Sequence, residues 1–504
     1  MITLNNGTLN LNGNNDALST GIALAGNGTV TGSGTLNLAV GAGVTNTAGA
    51  NVINVNLAQA ATNGTIKIGG GTLTLGGNNT NYAGEIYNSG TLVAAGSGSA
   101  LGTGVLSNSA GSVLDLGGQT YGNTITNLGF TMTNSSTTKA VLNGPLGNGA
   151  IWYMGLAPGQ SIQVNGTVTG NHSLNFSGGG TLVENSPSWA SSASATISAS
   201  ADSTVQLTST SAFGAFGGFK MNDAHLDLNG ATAPADNIYI GSGTTTGANL
   251  YNSSATTAAA NGAQLIINTT GTYVNGGVTN NYSRGIVGAV AGSTLNIGDQ
   301  VTDLGAGTNN TRGTLEVSGA GIVALTNNNN AYSTAQVDQG ATLSVLAGAN
   351  LGATNAIAVA GSLISAGALT LPSATTITIA TTNATSGSDF GQITVNSGTL
   401  TYAGTLTLNV PAGSSAYFDT LFNFTSQTGD FTAANIVEPS QSFVMSTTSG
   451  SGIWTAIDNS GVTYTFTDAT GALTASVPEP GTCAMVGLGL SALAVTIIRR
   501  RRND

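Results

Sequence analysis

Three titratable side chains stand at alternate positions in the stretch MNDAHLDLNG: Asp223, His225 and Asp227. Residues at i, i+2 and i+4 of a β-strand point to one face, so this spacing predicts a row of carboxylate, imidazole and carboxylate. Such a row could bind a metal ion or transfer protons. The competing interpretation is a solvated outer strand face, because Asp227 takes the place of Asp115 in the similar segment VLDLGG. We favour the solvated face and predict no metal or other cofactor, with alanine at each position changing stability by no more than about 0.5 kcal/mol.

A second chemical signal ends the sequence, in VPEPGTCAMVGLGLSALAVTIIRRRRND. Proline fixes the backbone, so Pro478, Glu479 and Pro480 are predicted to be extended and accessible. Residues 481–498 carry no charge, and as a helix they would span about 27 Å, enough for a bilayer core. Four arginines follow, which the positive-inside rule holds at the cytoplasmic face: Arg499, Arg500, Arg501 and Arg502. We predict a single transmembrane helix at 481–498, with Pro-Glu-Pro outside the inner membrane for a protease to cut; a permanent anchor is the alternative.

Charge and cysteine content limit the functions of the rest of the chain. The sequence has 9 Lys+Arg and 20 Asp+Glu; residues 1–476 hold five basic and 18 acidic ones, a net charge of −13. This balance excludes phosphate-neutralising binding to nucleic acid. The one cysteine, Cys483, lies in the apolar run, which excludes an internal disulfide. Catalytic sites cluster titratable groups, whereas here 18 acids and two histidines are spread thinly, so we predict that the protein is not an enzyme.

A repeated phrase predicts the elements that must position these side chains. Gly-Thr-Leu, or a close variant, begins short alternating stretches at Gly71, Gly90 and Gly111, spaced by 19 and 21 residues. Apolar residues at every second position indicate strands, and Gly-Asn, Asn-Gly and Ser-Gly steps indicate tight turns. About 20 residues per period without a helical segment predicts one coil of a right-handed parallel β-helix. A series of β-sandwiches is the alternative, although it would bring wider turns and more aromatic residues than 5%.

The predicted all-β chain divides into three regions. Residues 1–370 form the β-helical repeat region, less regular at 186–270; the start MITLNNGTLNLNG has no secretory signal, so we expect the N-terminus to be truncated. Residues 371–475, with an aromatic-rich patch at 417–431, form a β module that caps the coils. A cap is expected because an open last coil exposes apolar surface and unpaired strand edges. Residues 476–504 form the terminal tail.

Two parts of the sequence resemble known families. Residues 69–118 resemble the autotransporter-associated β-strand repeat, through GTLTL, Asn-Thr-x-Tyr-x-Gly at 79–84, a second GTL and SALGTG at 99–104. The tail resembles the PEP-CTERM sorting signal, through its Pro-Glu-Pro, its apolar span and its arginine cluster. The repeat resemblance implies a β-helical region displayed at a bacterial surface. The tail resemblance implies cutting near the motif by an exosortase, a membrane protease.

Together these resemblances imply an exported protein of a Gram-negative-type bacterium. It would be anchored transiently in the inner membrane and then appear at the cell surface or be secreted. The expected function is structural or adhesive, with extracellular polysaccharide, a biofilm or another matrix as the partner. A β-helical carbohydrate-active enzyme displayed at the surface is the alternative, and an acid cluster on adjacent coils would favour it.

Overall fold

The fold is all-β over the part of the chain that the computed structural model describes; no helix occurs there. The described residues are 1–59, 64–96, 98–127, 129–147, 151–170, 173–190, 195–208, 217–233, 236–242, 247, 249–262, 264–267, 272–275, 278–281, 284–303, 313–379, 390–411, 417–447 and 451–476. The chain forms two compact units, 1–335 with 348–352, and 336–347 with 353–504. The predicted domain limits at 370 and 475 stay predictions.

Parallel strands stack coil upon coil in the first unit. Ile2 pairs with Ile22, Ile22 with Val44 and Val44 with Ile66. Each partner lies 20 or 22 residues further along the chain, which confirms a coil of about 20 residues. The longest sheet within this unit has 14 strands. The first unit is therefore a parallel β-solenoid, and its right-handed sense stays a prediction.

In the first unit, strands from successive coils line up side by side in three long runs. The first sheet contains Ile2–Asn5, Ile22–Ala25, Val44–Asn46, Thr65–Ile68, Glu85–Asn88, Leu106–Asn108, Ile125–Asn127, Leu146–Gly147, Val168–Thr169 and Trp189–Ala190. The second contains Thr8–Asn10, Thr29–Thr31, Ala50–Ile53, Thr72–Leu75, Thr91–Ala94, Val113–Asp115, Thr131–Thr133, Ile151–Gly155, Ser173–Ser177, Ile197–Ala199, Phe219–Asn222, Ile238–Gly241, Gln264–Ile267 and Gln300–Asp303. The third run contains Thr120–Tyr121, Ala140–Leu142, Ser161–Val164, Thr181–Glu184, Thr204–Leu207, His225–Asp227, Leu250–Asn252, Arg284–Ala289 and Thr314–Ser318.

Shorter sets complete the first unit. Three parallel strands lie near its start: Asp16–Leu18, Thr35–Leu38 and Asn56–Gln59. Three more lie in its later coils: Ala258–Ala260, Thr294–Ile297 and Ile322–Leu325. An antiparallel hairpin joins Thr272–Asn275 to Val278–Asn281. The strand Tyr332–Val337 begins in this unit.

The core is built by the predicted alternation. Leu73 and Leu75 of the phrase GTLTL are 0% exposed, while the alternating Thr72 and Thr74 are half-buried. Each fully buried Leu, Ile or Val contributes about 1.5–3 kcal/mol relative to an exposed one. Larger rings fill the interior further along, where Trp152 lies 6.4 Å from Phe130 and 6.3 Å from Trp189, measured between ring centroids. The inward columns of stacked coils thus form one continuous apolar core in this unit.

Some buried asparagines bond to both the coil before and the coil after their own. Asn79, the first residue of the Asn-Thr-x-Tyr-x-Gly phrase, is 1% exposed. Its Oδ1 accepts a hydrogen bond from the Leu57 amide at 2.7 Å, and its Nδ2 donates to the Ala100 carbonyl at 2.5 Å. Asn249 makes the same kind of bridge, from the Ala224 carbonyl one coil earlier to the Ile286 amide one coil later. One side chain therefore satisfies backbone groups on the coil before and the coil after its own, as buried polar groups require.

The second unit begins with parallel strands and ends with antiparallel ones. Its parallel strands are Thr342–Val345, Ala353–Val359, Ser362–Ser365, Leu369–Thr370, Ala374–Thr378, Gln392–Thr401, Thr405–Asn409, Phe422–Thr428 and Ala433–Glu438. The strand Gln441–Val444 pairs antiparallel with the last of these. A five-stranded antiparallel sheet has the order Tyr417–Thr420, Ala472–Ser476, Thr463–Thr467, Ile453–Ile457 and Ser446–Thr447.

An aromatic cluster packs inside the second unit. The ring of Tyr402 lies 5.3 Å from that of Phe422 and 4.7 Å from that of Phe431, and Phe466 lies 5.7 Å from Phe422. Such pairs add about 0.5–1.5 kcal/mol each beyond the burial of their area. The aromatic residues that distinguish this part of the sequence therefore stabilise the interior of the unit where parallel pairing gives way to antiparallel pairing.

Candidate functional site

The structure separates the three residues that the spacing places on one strand face. Asp223 lies in the turn between Phe219–Asn222 and the strand His225–Asp227, with φ +47°. Its N–H donates to the Gly241 carbonyl at 2.9 Å. The strand alternation cannot extend back through this left-handed residue, so the expected row of three is wrong for Asp223. His225 and Asp227 alone share the strand.

Asp227 is completely buried, whereas the favoured interpretation expected a solvated face. Its carboxylate accepts hydrogen bonds from the amide of Asn229 at 2.9 Å and from the amide and hydroxyl of Ser253 at 3.1 and 2.6 Å. Gln206 Nε2, one coil earlier, donates a fourth at 2.8 Å. The expectation was wrong because the turn of the following coil, at Ser253, covers Asp227. Strand periodicity alone describes this outward position as open to solvent.

Asp115 has the same arrangement in the regular part of the repeat. Its Oδ1 accepts the amide of Gly117, two residues later, at 3.0 Å and the amide of Ser135, one coil later, at 2.9 Å. The two aspartates therefore fasten one turn to the next, and the resemblance between LDL segments reflects this structural role.

We expect Asp227→Ala to lower the free energy of unfolding by about 3 kcal/mol, because four donors lose a charged acceptor in a buried place. Urea denaturation measures the change. Asp16→Ala is the matched control, since Asp16 is an exposed aspartate on another strand, and it should change stability by no more than about 0.5 kcal/mol. Equal denaturation midpoints for the two variants would contradict the structural role of Asp227.

A groove on the outside of the third run of strands begins at His225. The imidazole meets the ring of Tyr251 edge-on, with 6.3 Å between ring centroids and an interplanar angle of 89°. Tyr251 pairs with Gly288 on the next coil, and Gly288 pairs with Ser318 on the one after. Because Gly288 has no side chain, a space of about 600 Å³ remains beside Tyr251. We call this space the Tyr251 groove; it is lined by Asp202, Thr204, His225, Gly247, Tyr251, Gly288, Ala289, Val290, Ala291, Ser318, Gly319 and Ala320.

The electrostatics of the Tyr251 groove favour binding over acid–base chemistry. Its lining includes one carboxylate, that of Asp202, whose Oδ1 lies 4.0 Å from Nε2 of His225. Burial, and then the negative charge of Asp227, raise the pKa of the Tyr251 phenol. Tyr251 therefore stays protonated at neutral pH. Within the described part of the chain, no three His, Cys, Asp or Glu side chains are grouped so as to hold a metal ion.

Sequence reasoning predicted His225 but missed Tyr251 and Gly288. These two residues face each other across a coil of 37 residues, far from the repeat length of about 20. The NLYNSS and GIVGAV stretches carry no periodic signal that would align them.

The terminal tail after residue 476 lies beyond the described residues. This applies to Pro478, Glu479 and Pro480, to the predicted span 481–498 and to the arginines 499–502. Within the part of the chain that the structure covers, no helix has the length and apolarity needed to cross a bilayer.

Comparison with known proteins identifies the tail. The PEP-CTERM protein-sorting motif family matches residues 476–502. No curated protein and no solved structure matches the chain. The matched residues include the Pro-Glu-Pro, the apolar run and the arginine cluster that the sequence singled out. The motif indicates export and processing by an exosortase. The chain thus carries a PEP-CTERM protein-sorting motif at residues 476–502, behind a body whose first unit is a parallel β-solenoid.

Proposed function

We propose that this protein is a structural or adhesive component of the bacterial cell surface or extracellular matrix. It is delivered there after transient anchoring in the inner membrane. The observation that carries the proposal is the sorting motif at the end of a chain that is only 6% charged. Such a body presents Asn, Thr and Ser to its surroundings, which suits contact with hydrated, uncharged polymers. Its partners are an exosortase and an extracellular polysaccharide or matrix.

Ladders of side-chain amides support a structural role. Asn165 Nδ2 donates to Asn143 Oδ1 at 2.8 Å, and Asn185 Nδ2 donates to Asn165 Oδ1 at 2.8 Å, so the ladder crosses three coils. These bonds fix the outer polar side chains without any charge. Comparable ladders stabilise stacked β-strands generally.

The positions of the carboxylates support a function without catalysis. Asp115 and Asp227 hold turns together, and Glu316 is 6% exposed and pairs with Arg284 at 2.9 Å. A glycosidase of the usual kind needs two carboxylates facing one substrate. The acids in these three places are already used by the fold, which favours the structural proposal over the carbohydrate-active enzyme.

Deleting the gene in its own bacterium tests the proposal. We expect the deletion strain to lose at least half of its attachment to a surface or of its cell-bound matrix polysaccharide, and the intact gene to restore both. Unchanged attachment and matrix, with the native protein detected at the cell surface, would contradict the proposal. Release of reducing sugar from the matrix by the purified protein would instead favour the enzyme.

A further inference from the structure

We propose that the Tyr251 groove binds a neutral pyranose unit of a polysaccharide. This inference rests on the proposed function only in that a matrix would supply the polymer. The groove lies wholly within the first unit, and its volume of about 600 Å³ is within the usual range for small-ligand sites.

The shape of the groove follows from one row of strand positions. Asp227, Tyr251, Gly288 and Ser318 succeed one another across four coils of the same sheet. The row carries a buried acid, a large ring, no side chain and a small hydroxyl in that order. The ring of Tyr251 therefore borders a space above the backbone of Gly288, and the small Ser318 on the next coil leaves that space open.

The chemistry of the lining matches a sugar ring. A pyranose has apolar C–H faces and a rim of hydroxyl groups, so it needs an aromatic surface and hydrogen-bonding groups around it. Tyr251 supplies the aromatic surface, and the imidazole of His225 packs perpendicular to its ring. The Asp202 carboxylate, 69% exposed, can accept hydrogen bonds from sugar hydroxyls. Thr204 and Ser318 can both donate and accept them.

The charge of the groove selects a neutral sugar. Among its lining residues, all in the described part of the chain, there is no lysine or arginine, and Asp202 adds a negative charge. Residues 1–476 carry a net charge of −13, so sulfated, phosphorylated or uronic polymers are repelled at long range as well. A neutral hexose polymer meets neither obstacle.

Calorimetric titration of the full-length chain in detergent tests the inference, with hexasaccharides of β-1,4-glucose, β-1,4-mannose and α-1,4-glucose as probes. We expect at least one to bind with a dissociation constant below about 1 mM, and hexagalacturonate not to bind. Tyr251→Ala should weaken binding at least tenfold, and Tyr251→Phe, which keeps the ring, by less than threefold. Gly288→Val should weaken binding at least tenfold, because the valine side chain would fill the space above the backbone at this position.

Tyr87→Ala is the matched control, since Tyr87 is 41% exposed on a different sheet, and it should leave binding unchanged. The thermal midpoints of the Tyr251→Ala and Tyr251→Phe proteins separate loss of binding from loss of folding. Absence of binding by all three neutral probes, or binding that Tyr251→Ala and Gly288→Val leave intact, would overturn the inference. If no sugar binds but the deletion strain loses attachment, the proposed function stands and only the sugar-binding inference fails. If sugars bind but the deletion strain is unaffected, the proposed function fails and the sugar-binding inference stands.

Discussion

Alanine at both Pro478 and Glu479 is expected to hold the full-length chain in the inner membrane. The apolar run 481–498 enters a bilayer or must be removed, because so long an uncharged segment is unfavourable in water. Four polar or small residues weaken it as a permanent anchor: Gly487, Gly489, Ser491 and Thr496. By the positive-inside rule we expect the following arginines to orient it, which would leave the Pro-Glu-Pro outside, where an exosortase would act.

Membrane fractionation and mass spectrometry measure this outcome. Native surface material should yield C-terminal peptides that end near residues 477–481 and none from 485–498. The double-alanine protein should stay in the inner-membrane fraction with its arginines. Pro158→Ala, in an exposed turn of the solenoid, is the control and should be processed normally. If native and double-alanine proteins both keep the arginine tail and fractionate alike, the segment is only an anchor.

Gly49→Ala should be among the most destabilising single substitutions in the first unit. A Cβ atom at Gly49 would lie 1.4 Å from the carbonyl oxygen of Gly26 on the preceding coil, and φ is +75°. The turn backbones of successive coils touch here, so space for a methyl group requires the coils to move apart. We expect a loss of about 4 kcal/mol, the sum of overpacking and left-handed strain.

Gly41→Ala separates these two contributions. Gly41 has φ +79°, but a Cβ atom there would meet nothing within 4 Å. Its substitution should therefore cost only the left-handed strain, about 1–2 kcal/mol. Urea denaturation of both variants gives the comparison. Equal losses would mean that coil-to-coil contact at Gly49 contributes nothing to the requirement for glycine.

The sequence predicts the coils well because their signals are local. The leucines of GTLTL alternate within a single strand, and the repeat length appears directly as the pairing of Ile2 with Ile22. The environment of Asp227 could not be predicted in the same way, because Ser253, which covers it, lies 26 residues away in a longer coil. Tyr251 and Gly288 were missed for a related reason: the coil between them departs from the repeat length, so their pairing leaves no periodic trace.

The three-coil asparagine bridges have a consequence for how the solenoid comes apart. If the contacts between successive pairs of coils were independent of one another, an end would fray one coil at a time. Asn79, however, binds the backbone at Leu57 and at Ala100, 43 residues apart. Detaching the coil of Ala100 leaves the amide of Asn79 without that acceptor and weakens the coil beneath it as well. An unfolding front that reaches such a bridge is thus expected to pause and then advance by two coils together, which makes the bridges natural boundaries between cooperative segments of the solenoid.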